Sequence, residues 1–523
     1  MNRRDLILGG GGLVLAASLG LPGRVSASSR LGGYPFSLGV AAGDPLPDGF
    51  VIWTRLAPRP LDEHGGMPMR PFAVRWEVAE DEGFSRIARA GEAIARPELG
   101  HSVHVEVGGL RPRRPYWYRF QIEGDDASPV GMARTAPAVD DSPERVRLAV
   151  AGCQHYQAGW YDAWRHLSEE NDLDAVFHYG DYIYEGGGGA GTPLILGRDG
   201  TNVDRSHRGG EIYSLDDYRR RYAQYKSDPD LQAAHAAAAF IVSFDDHEVD
   251  NNWASDFDQD GTPPEAFIQR RRSAMQAWYE NMPVRRAQLP SADGITMYRR
   301  LDYGRLMRMH VLDTRTFRTD QPCQAPGEQY CRAPDASGVT MLGQVQEDWL
   351  AQGLRNPARW NLIAQQVFIM PMLRKGPDGV IRPSGPDTWS GYPDARARLA
   401  RTITGLKLTN VVVATGDAHI HAVGNVPVRD DELDGPAVAA EFLATSISSG
   451  GDGAAENDNT RALLGGSPHM HLVNAQRGYQ TFDVTLKEWR TDLKVLDRVS
   501  RPDGALTTLA SFSVEPDRAG LAG

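Results

Sequence analysis

The sequence predicts an α/β protein in which a small antiparallel β-sandwich domain precedes a larger, layered α/β domain. Residues 34–136 contain short β-type runs separated by turn residues, with no helix-length period, and this pattern is typical of an antiparallel sandwich. From residue 144 to residue 514 β-type runs alternate with helical patterns, which favours helices layered on sheets. In addition, four of the later β-type runs end in side chains of the kind that bind metals.

Composition and charge exclude several classes of protein. The chain has 523 residues, of which 41% are hydrophobic, and this length is enough for two globular domains. No apolar run of about 18 residues occurs in the body of the chain, so we expect no stable membrane insertion. The formal net charge of -12 provides no broad basic surface for a nucleic-acid backbone, and we expect no nucleic-acid partner. The expected state is a monomer.

Residues 1–27 have the features of an export signal. Arg3 and Arg4 precede a glycine-rich, mildly apolar stretch, and Val25-Ser26-Ala27 offers small residues for cleavage. Paired arginines at this place indicate a twin-arginine signal, and an ordinary secretory signal with a basic n-region is the alternative. We therefore expect the twin-arginine export machinery as a partner and a periplasmic or secreted location.

The elements of the first domain are predicted from alternation of apolar and polar residues. Clean alternation occurs at residues 50–54, 74–78, 101–107 and 116–120. The polar, acidic stretch at residues 137–143 predicts a linker to the second domain. The first domain shows no obvious chemistry of its own.

The second domain is predicted from strands and helices that alternate along the chain. The strand candidates are residues 146–151, 175–177, 240–244, 308–312, 360–364, 410–415 and 441–445, and an alternating segment at 481–496 is expected to add edge strands. Asp228 and Pro229 indicate the N-cap and first turn of a helix that runs to residue 239. Further helices are predicted at residues 264–281, 344–354 and 394–403.

Side chains of metal-ligand type follow four of these β-type runs. The runs lead to Cys153, to Gly180-Asp181 with Tyr184 three residues on, to Asp245-Asp246-His247-Glu248, and to Gly416-Asp417-Ala418-His419. Open α/β sheets hold their ligands at the carboxyl ends of the strands. A single Gly-Asp after a strand is more often an ordinary turn, but the repetition of this order at four places favours a two-metal site.

The donor types indicate which metals to expect. The thiolate of Cys153 and the phenolate of Tyr184 are strong anionic donors, and they favour ferric iron over zinc. Asp181 has two oxygens and can bridge two metals. The carboxylates of Asp246 and Asp417 move the second position towards a hard, oxygen-preferring ion such as calcium. For Cys153 a small, buried cysteine at a strand end is the alternative.

These motifs resemble those of a known group of enzymes. The order Gly180-Asp181-x-x-Tyr184, Asp245-Asp246-His247-Glu248 and Gly416-Asp417-x-His419 is similar to that of calcineurin-like and purple acid metallophosphoesterases. With Gly152-Cys153, residues 245–252 and Leu312-Asp313-Thr314-Arg315, the chain resembles the alkaline phosphatase D family within that group. The resemblance covers most of the chain from about residue 34, and it implies a four-layer α/β/β/α metallophosphoesterase sandwich for the second domain.

The resemblance also implies a cofactor set and a reaction. The cofactors would be ferric iron and calcium, and the reaction would be hydrolysis of phosphoric esters, as in an alkaline phosphatase with phosphodiesterase activity. The implied ligands are Cys153, Asp181, Tyr184 and His419 for iron, and Asp246 and Asp417 for calcium. Asn251 or Asn252 lies close enough to Asp246 in sequence to reach the calcium or the phosphate of a substrate.

Two further side chains are candidates for catalysis. His247 is predicted to protonate or hydrogen-bond the leaving group, and a metal-free histidine held by Glu248 is the alternative. Arg315 is predicted to clamp phosphate oxygens, and a structural pair with a nearby aspartate is the alternative. Three histidines flank the motifs and are expected to lie around the ligands: His155, His178 and His421.

Two other features of the sequence concern local structure. Cys323 and Cys331 are close in sequence and, in an oxidising periplasm, can close a small loop as a disulfide. Five of the six residues at 186–191 are glycine, but the Gly-Lys-Ser/Thr ending of a phosphate-binding loop is missing. We predict a mobile active-site loop or a spacer there, rather than a nucleotide site.

The sequence leaves three functions open. The first is a secreted phosphomonoesterase or phosphodiesterase that releases phosphate at a ferric-calcium centre. The second keeps the metals but acts on phospholipid head groups, as a phospholipase D-like phosphodiesterase does. The third is a non-catalytic periplasmic phosphate-binding protein. A complete set of candidate ligands argues against the third, because a degenerate site usually loses a ligand.

Overall fold

The computed structural model describes residues 31–123, 127–189, 194–292, 294–323, 331–333 and 336–522. The predicted export signal at residues 1–27 lies outside the described residues, as does part of the glycine-rich run at 186–191. Among the residues described, no helix has the length and apolar character needed to cross a bilayer.

The described residues form 23 strands, of which seven precede the second domain along the chain and sixteen lie within it. The first seven are β1 (Val40–Leu46), β2 (Gly49–Arg55), β3 (Phe72–Ala79), β4 (Ile87–Ala95), β5 (Ser102–Val107), β6 (Pro115–Gln121) and β7 (Gly131–Arg134). The next eight are β8 (Arg145–Ala151), β9 (Ala175–His178), β10 (Ala239–Val242), β11 (Arg299–Tyr303), β12 (Met307–Val311), β13 (Trp360–Ala364), β14 (Leu373–Lys375) and β15 (Ile381–Pro383). The last eight are β16 (Val411–Thr415), β17 (His421–Pro427), β18 (Ala437–Leu443), β19 (Gly453–Ala454), β20 (Met470–Gln476), β21 (Gly478–Thr485), β22 (Trp489–Leu496) and β23 (Leu506–Val514).

The α-helices in the described part of the chain all belong to the second domain. They are α1 (Asp162–Ser168), α2 (Leu215–Lys226), α3 (Pro229–Ala237), α4 (Pro264–Asn281), α5 (Gly343–Leu354), α6 (Pro393–Gly405) and α7 (Asp458–Gly466). The predicted cap of α3 is confirmed, because the Asp228 carboxylate accepts hydrogen bonds from the amides of Asp230 and Leu231. The helix ends two residues earlier than predicted, since β10 begins at Ala239.

The second domain is built on two large sheets, the first of which also includes β1, β2 and β5 of the N-terminal domain. The first has nine strands in the order β23-β22-β21-β8-β9-β10-β1-β2-β5, and the second has eight in the order β11-β12-β13-β16-β18-β17-β20-β19. Strands β8, β9 and β10 are parallel to one another, as are β12, β13, β16 and β18. Their carboxyl ends therefore form two rims at which loops can carry functional side chains.

Along the central strands, successive side chains point into two different hydrophobic cores, and the sheets and helices that enclose these cores form four layers. Leu362 and Val412 belong to the core that the two sheets share, whereas Ile363 and Val413 belong to a core with α5 and α6. On the outer side of the first sheet, Trp164 of α1 packs against Phe240, with ring centroids 5.7 Å apart. The predicted α/β/β/α sandwich is confirmed.

The small antiparallel sheet, in the order β4-β3-β6-β7, covers the far end of the nine-stranded sheet. Its inner side chains share a core with those of β1, β2 and β5, so the predicted N-terminal sandwich is present. One of its two layers, however, continues the large sheet, because β1 pairs in parallel with β10. Gly43 permits this close approach, since a Cβ there would lie 2.7 Å from the carbonyl oxygen of Phe240 in β10.

The three cysteines have two different states. Cys323 and Cys331 form a disulfide with their Cα atoms 5.1 Å apart, which agrees with the pairing that the sequence allowed. Cys153 is free and fully buried. The third cysteine is therefore available as a metal ligand at the end of β8.

Candidate metal centre

The predicted ligands follow strands β8, β9, β10 and β16 within a few residues. Cys153 comes two residues after β8, Asp181 three after β9, Asp246 four after β10 and Asp417 two after β16. Because the first three strands belong to one sheet and β16 to the other, the ligands meet where the two rims come together.

Four of these residues have left-handed backbone conformations. The φ angles are 50° at Cys153, 55° at Asp181, 69° at Asp417 and 56° at His419. Such angles are uncommon for residues other than glycine and carry a conformational cost, and they cluster at functional sites. The ends of β8, β9 and β16 are therefore each followed by a sharp turn at a candidate ligand.

Glycines immediately before the ligands allow the strand ends to approach one another. The buried ring of Tyr179 lies between two of them, since a Cβ at Gly152 would be 2.5 Å from this ring and a Cβ at Gly416 would be 2.1 Å from it. The Tyr179 hydroxyl donates to the carbonyl of Thr445 at 2.8 Å. A third glycine, Gly180, lies against Asp245, where a Cβ would come within 2.5 Å of its backbone nitrogen. The Gly-Cys and Gly-Asp pairs in the sequence thus have a packing cause.

The four predicted iron ligands converge around one carboxylate oxygen. Asp181 Oδ2 lies 3.2 Å from Cys153 Sγ and 2.8 Å from the Tyr184 hydroxyl. His419 Nε2 lies 3.1 Å from the same hydroxyl and 3.9 Å from Asp181 Oδ2. One thiol, one phenol, one imidazole and one carboxylate therefore surround a single small volume.

The predicted calcium ligands form an adjoining group. Ligand atoms of Asp181, Asp246 and His247 lie within 4.8 Å of one another, and so do those of Asp245, Asp246 and Asp417. Asp181 thus belongs to both groups, as a bridging ligand would. Asp245 directly precedes Asp246 in the sequence. Sequence alone did not indicate that the carboxylates of both residues reach the site.

Burial and mutual repulsion perturb the acid-base properties of these groups. Burial raises the pKa of the Cys153 thiol and of the Tyr184 phenol, and the nearby Asp181 carboxylate raises both further. Burial also raises the pKa of Asp181 to about 7. The pKa of His419 falls to about 3, mainly because of burial, so its imidazole is neutral and available as a ligand. A bound cation would offset the repulsion among the acidic groups.

The residues present fit the implied metals. Asp181 Oδ1 and Asp245 Oδ2 are buried and have no hydrogen-bond partner among the described residues. Orphaned buried carboxylate oxygens are costly unless something else binds them. The thiol and phenol suit ferric iron, and the group of carboxylates suits calcium.

Arg315 lies behind the carboxylates. Its side chain is fully buried, with Nε 2.5 Å from Asp245 Oδ1 and Nη1 2.8 Å from Asp387 Oδ2. Its Nη2 lies 3.7 Å from Asp246 and 3.9 Å from Asp417. The predicted phosphate clamp needs an accessible guanidinium, so the geometry supports the alternative, a structural ion pair. Asp387, which sequence reasoning missed, reaches Arg315 over 72 residues.

His247 is held by a different carboxylate from the one considered in the sequence. Its Nδ1 lies 2.7 Å from Glu185 Oε2, and its ring packs on Tyr184 with centroids 4.1 Å apart. Glu248 instead accepts hydrogen bonds from the backbone amides of Asp181, Tyr182 and Asp245 at 2.6–3.1 Å. Glu248 therefore ties the loop after β9 to the loop after β10.

The two asparagines contact the site through their backbones. The amide of Asn251 donates to Glu185 and the amide of Asn252 donates to Asp246, both at 2.9 Å. The Asn252 side chain lies 3.3 Å from Gln259 Oε1. A role of either side chain in binding calcium or phosphate stays a prediction.

Of the three flanking histidines, one touches a ligand. The ring of His155 stacks on Tyr184, with centroids 4.4 Å apart. His178 packs on Trp164, and His421 Nε2 lies 3.1 Å from the carbonyl oxygen of Lys494. His178 and His421 are therefore packed within the sheets and, in the described part of the chain, do not contact the ligands. Their closeness to the motifs in sequence did not indicate this.

Comparisons with known proteins agree with this geometry. A family model described as PhoD-like phosphatase matches residues 148–493, and one described as its N-terminal domain matches residues 23–137. Alkaline phosphatase D of Bacillus subtilis (strain 168) is 43% identical over 531 residues, covering 99% of this chain and 88% of that protein. A solved structure described as "Structure of PhoD" aligns with a TM-score of 0.86 and 43% identity, covering 95% of this chain and 93% of the other.

The four-layer fold and the paired ligand groups define a metal-dependent phosphoesterase. Because a family model matches more than half of the chain and a close relative spans nearly all of it, the particular family is shown. The chain belongs to the PhoD-like phosphatase family. Membership supports phosphatase activity and dependence on metals.

Proposed function

We propose that this chain hydrolyses phosphoric monoesters and diesters at a ferric-calcium centre. The supporting observation is the convergence of Cys153 Sγ and the Tyr184 hydroxyl on one Asp181 oxygen, at 3.2 Å and 2.8 Å. Thiolate and phenolate together are unusual donors for calcium or magnesium and suit a trivalent ion. The 43% identical relative is named an alkaline phosphatase, which favours phosphate esters as substrates.

The proposed ligand sets follow from the two groups. Iron would be held by Cys153, Asp181, Tyr184 and His419, and calcium by Asp181, Asp246 and Asp417, with Asp245 beside them. The chemistry that such a pair supplies when bound is polarisation of phosphoryl oxygens and activation of water. Arg315 would keep the carboxylates aligned from behind.

Exposure indicates the side from which a substrate would reach the centre. The side chains of His419, Asp417 and His247 are 34%, 22% and 19% exposed, whereas that of Asp181 is fully buried. The open side is therefore lined by the two histidines and by Asp417. A phosphoryl group approaching there would meet His247 beside the ligands.

His247 is the proposed proton donor to the leaving oxygen. Glu185 occupies Nδ1 at 2.7 Å, which leaves Nε2 as the ring nitrogen free to meet that oxygen. The carboxylate also fixes the orientation of the ring, and general acids must be positioned in this way. Asn251 supports the pair, because its amide donates to the other Glu185 oxygen.

Metal analysis together with a visible spectrum tests the proposal. We expect protein refilled with ferric iron and calcium after chelation to recover hydrolysis of p-nitrophenyl phosphate and its bis ester, and to show a tyrosinate-to-iron band. Tyr184→Phe should weaken that band and lower the iron content, because it removes the phenolate donor. Tyr182→Phe, two residues away and bonded to His235, is the control and should keep the band.

Other outcomes would select another function. Colourless, zinc-loaded and fully active protein would overturn the iron assignment. Inertness of the metal-loaded protein towards both esters, with phosphate binding retained, would favour the phosphate-binding protein. Cleavage of a phospholipid head group far faster than that of either ester would favour the phospholipase-like reading.

We also propose that residues 1–27 direct twin-arginine export, so that the mature enzyme acts in the periplasm or outside the cell. The support is the paired Arg3-Arg4 before a mildly apolar, glycine-rich stretch. Replacing both arginines by lysine should keep the protein in the cytoplasm, as measured by cell fractionation. Unchanged export of this variant would point to the ordinary secretory route.

A further inference from the structure

One buried hydroxyl contacts the phenol of Tyr184 and the backbone carbonyl of Cys153, two residues of the iron group. Ser449 is 1% exposed and follows β18. Its Oγ lies 2.7 Å from the Tyr184 hydroxyl and donates to the carbonyl of Cys153, also at 2.7 Å. It accepts a third hydrogen bond, from the amide of His155 at 3.1 Å. No sequence motif pointed to this serine, which lies 265 residues from Tyr184.

The position of Ser449 is fixed by its own loop. The Arg477 guanidinium donates to the Ser449 carbonyl and to Ser446 Oγ, and the Ser446 hydroxyl donates to the same carbonyl at 2.7 Å. The Ser449 amide lies 3.3 Å from the Cys153 carbonyl oxygen, and the Ile447 amide donates to the Gly152 carbonyl at 3.0 Å. These hydrogen bonds hold the loop in place and thereby position the Ser449 hydroxyl beside Tyr184.

The single hydroxyl hydrogen of Ser449 has two possible acceptors, and binding of a cation by Tyr184 would decide between them. A serine hydroxyl has one hydrogen to donate, and here it faces the Cys153 carbonyl and the Tyr184 oxygen at the same distance. As an anionic ligand, Tyr184 has no hydrogen and can only accept. A hydrogen bond to a charged acceptor is roughly twice as strong as one to a neutral carbonyl, and the carbonyl keeps the Ser449 amide as a donor.

We propose that Ser449 is a positioning residue whose hydroxyl donates to the metal-bound Tyr184 oxygen while its loop fixes Cys153. This inference rests on the proposed metal centre and adds a residue that neither the sequence nor the family match assigns. The hydrogen bond would stabilise the negative charge on the phenolate oxygen and restrict the orientation of the Tyr184 side chain. Partners of this kind around metal ligands typically change metal affinity by about 10-fold to 100-fold.

The neighbouring Ser448 provides a matched control. It is also fully buried, and its hydroxyl donates to a carbonyl of the loop after β8, that of His155, at 2.9 Å. Unlike Ser449, it has no contact with Tyr184 among the described hydrogen bonds. A general loosening of the loop would affect Ser448→Ala and Ser449→Ala alike, whereas a specific effect on the phenolate would appear in the second alone.

The test measures the visible band and the metal affinity of the full-length protein. In Ser449→Ala the tyrosinate-to-iron band should move to longer wavelength, because a phenolate without its hydrogen bond gives up an electron more easily. Metal affinity measured against a competing chelator should fall about 10-fold or more. Ser448→Ala should change neither quantity beyond a few-fold, and Ser449→Thr, which keeps the hydroxyl, should restore both.

Two results would overturn the assignment: an unmoved band with unchanged affinity in Ser449→Ala, or equal losses in the two alanine variants. Failure of the proposed function is distinguishable from these. If the wild-type protein shows no such band, the ferric assignment fails, but the ratio of chelator affinities between the two variants still decides the role of Ser449 for whichever cation binds.

Discussion

Asp181→Asn should remove both metals and nearly all activity. Asp181 belongs to both ligand groups, so its replacement removes a charged donor that the two cations would share. The loss of one electrostatic stabiliser in an active site costs roughly 10²–10³ in kcat, and we expect kcat/KM to fall by at least that much. Metal analysis and steady-state kinetics on p-nitrophenyl phosphate would measure the two effects.

Folding of this variant should be preserved, and this separates loss of metal from loss of structure. Asparagine has the size of aspartate, and it removes a fully buried carboxylate that is repelled by Asp246. The metal-free variant should therefore unfold in urea at no lower concentration than the metal-free wild type. Asp228→Asn is the control, because Asp228 is also buried but pairs with Arg205 and caps α3. Retention of both metals by Asp181→Asn would contradict a bridging role.

The parts of the site that sequence predicted are those fixed by local pattern. A β-type run followed by Gly-Cys or Gly-Asp places a side chain at a strand's carboxyl end, whatever the distant chain does. The structure brings all six predicted ligands into two adjoining groups on this basis. The glycines before them have their cause in tertiary packing against Tyr179 and Asp245, but they are visible in sequence as part of the motif.

The parts that sequence could not predict depend on contacts between distant segments. Glu185 stands next to Tyr184 in the chain, yet only the fold shows that it meets His247. Ser449 and Asp387 reach the site from loops whose sequences contain no metal-ligand motif. Likewise, alternation identified the strand at residues 50–54, but it contains no information on which sheet the strand joins.

Arg315 shows how burial can change an interpretation. An arginine near a phosphate site suggests a clamp, and sequence alone could not weigh this against an ion pair. The structure gives it no exposed surface and surrounds it with Asp245, Asp387, Asp246 and Asp417. A guanidinium with this many carboxylate neighbours offsets charge that would otherwise be buried without compensation.

Arg315→Met should therefore destabilise the metal-free protein strongly. Removing one partner of a buried ion pair costs about 3–5 kcal/mol, because the other partner is left charged and unpaired. In the metal-loaded protein the loss should be smaller, since bound cations would offset the charge on Asp246 and Asp417. Urea unfolding with and without a chelator would measure both free energies of unfolding.

Arg396→Met is the matched control for this effect. Arg396 is also buried, but its carboxylate partner is the half-exposed Asp430, and it lies in α6 away from the ligand groups. Its replacement should cost less stability, by the same amount with and without metals. If Arg315 instead clamped phosphate, Arg315→Met would raise KM and weaken inhibition by phosphate while the free energy of unfolding stayed unchanged. A metal-dependent loss of stability confined to Arg315→Met would separate the ion pair from the clamp.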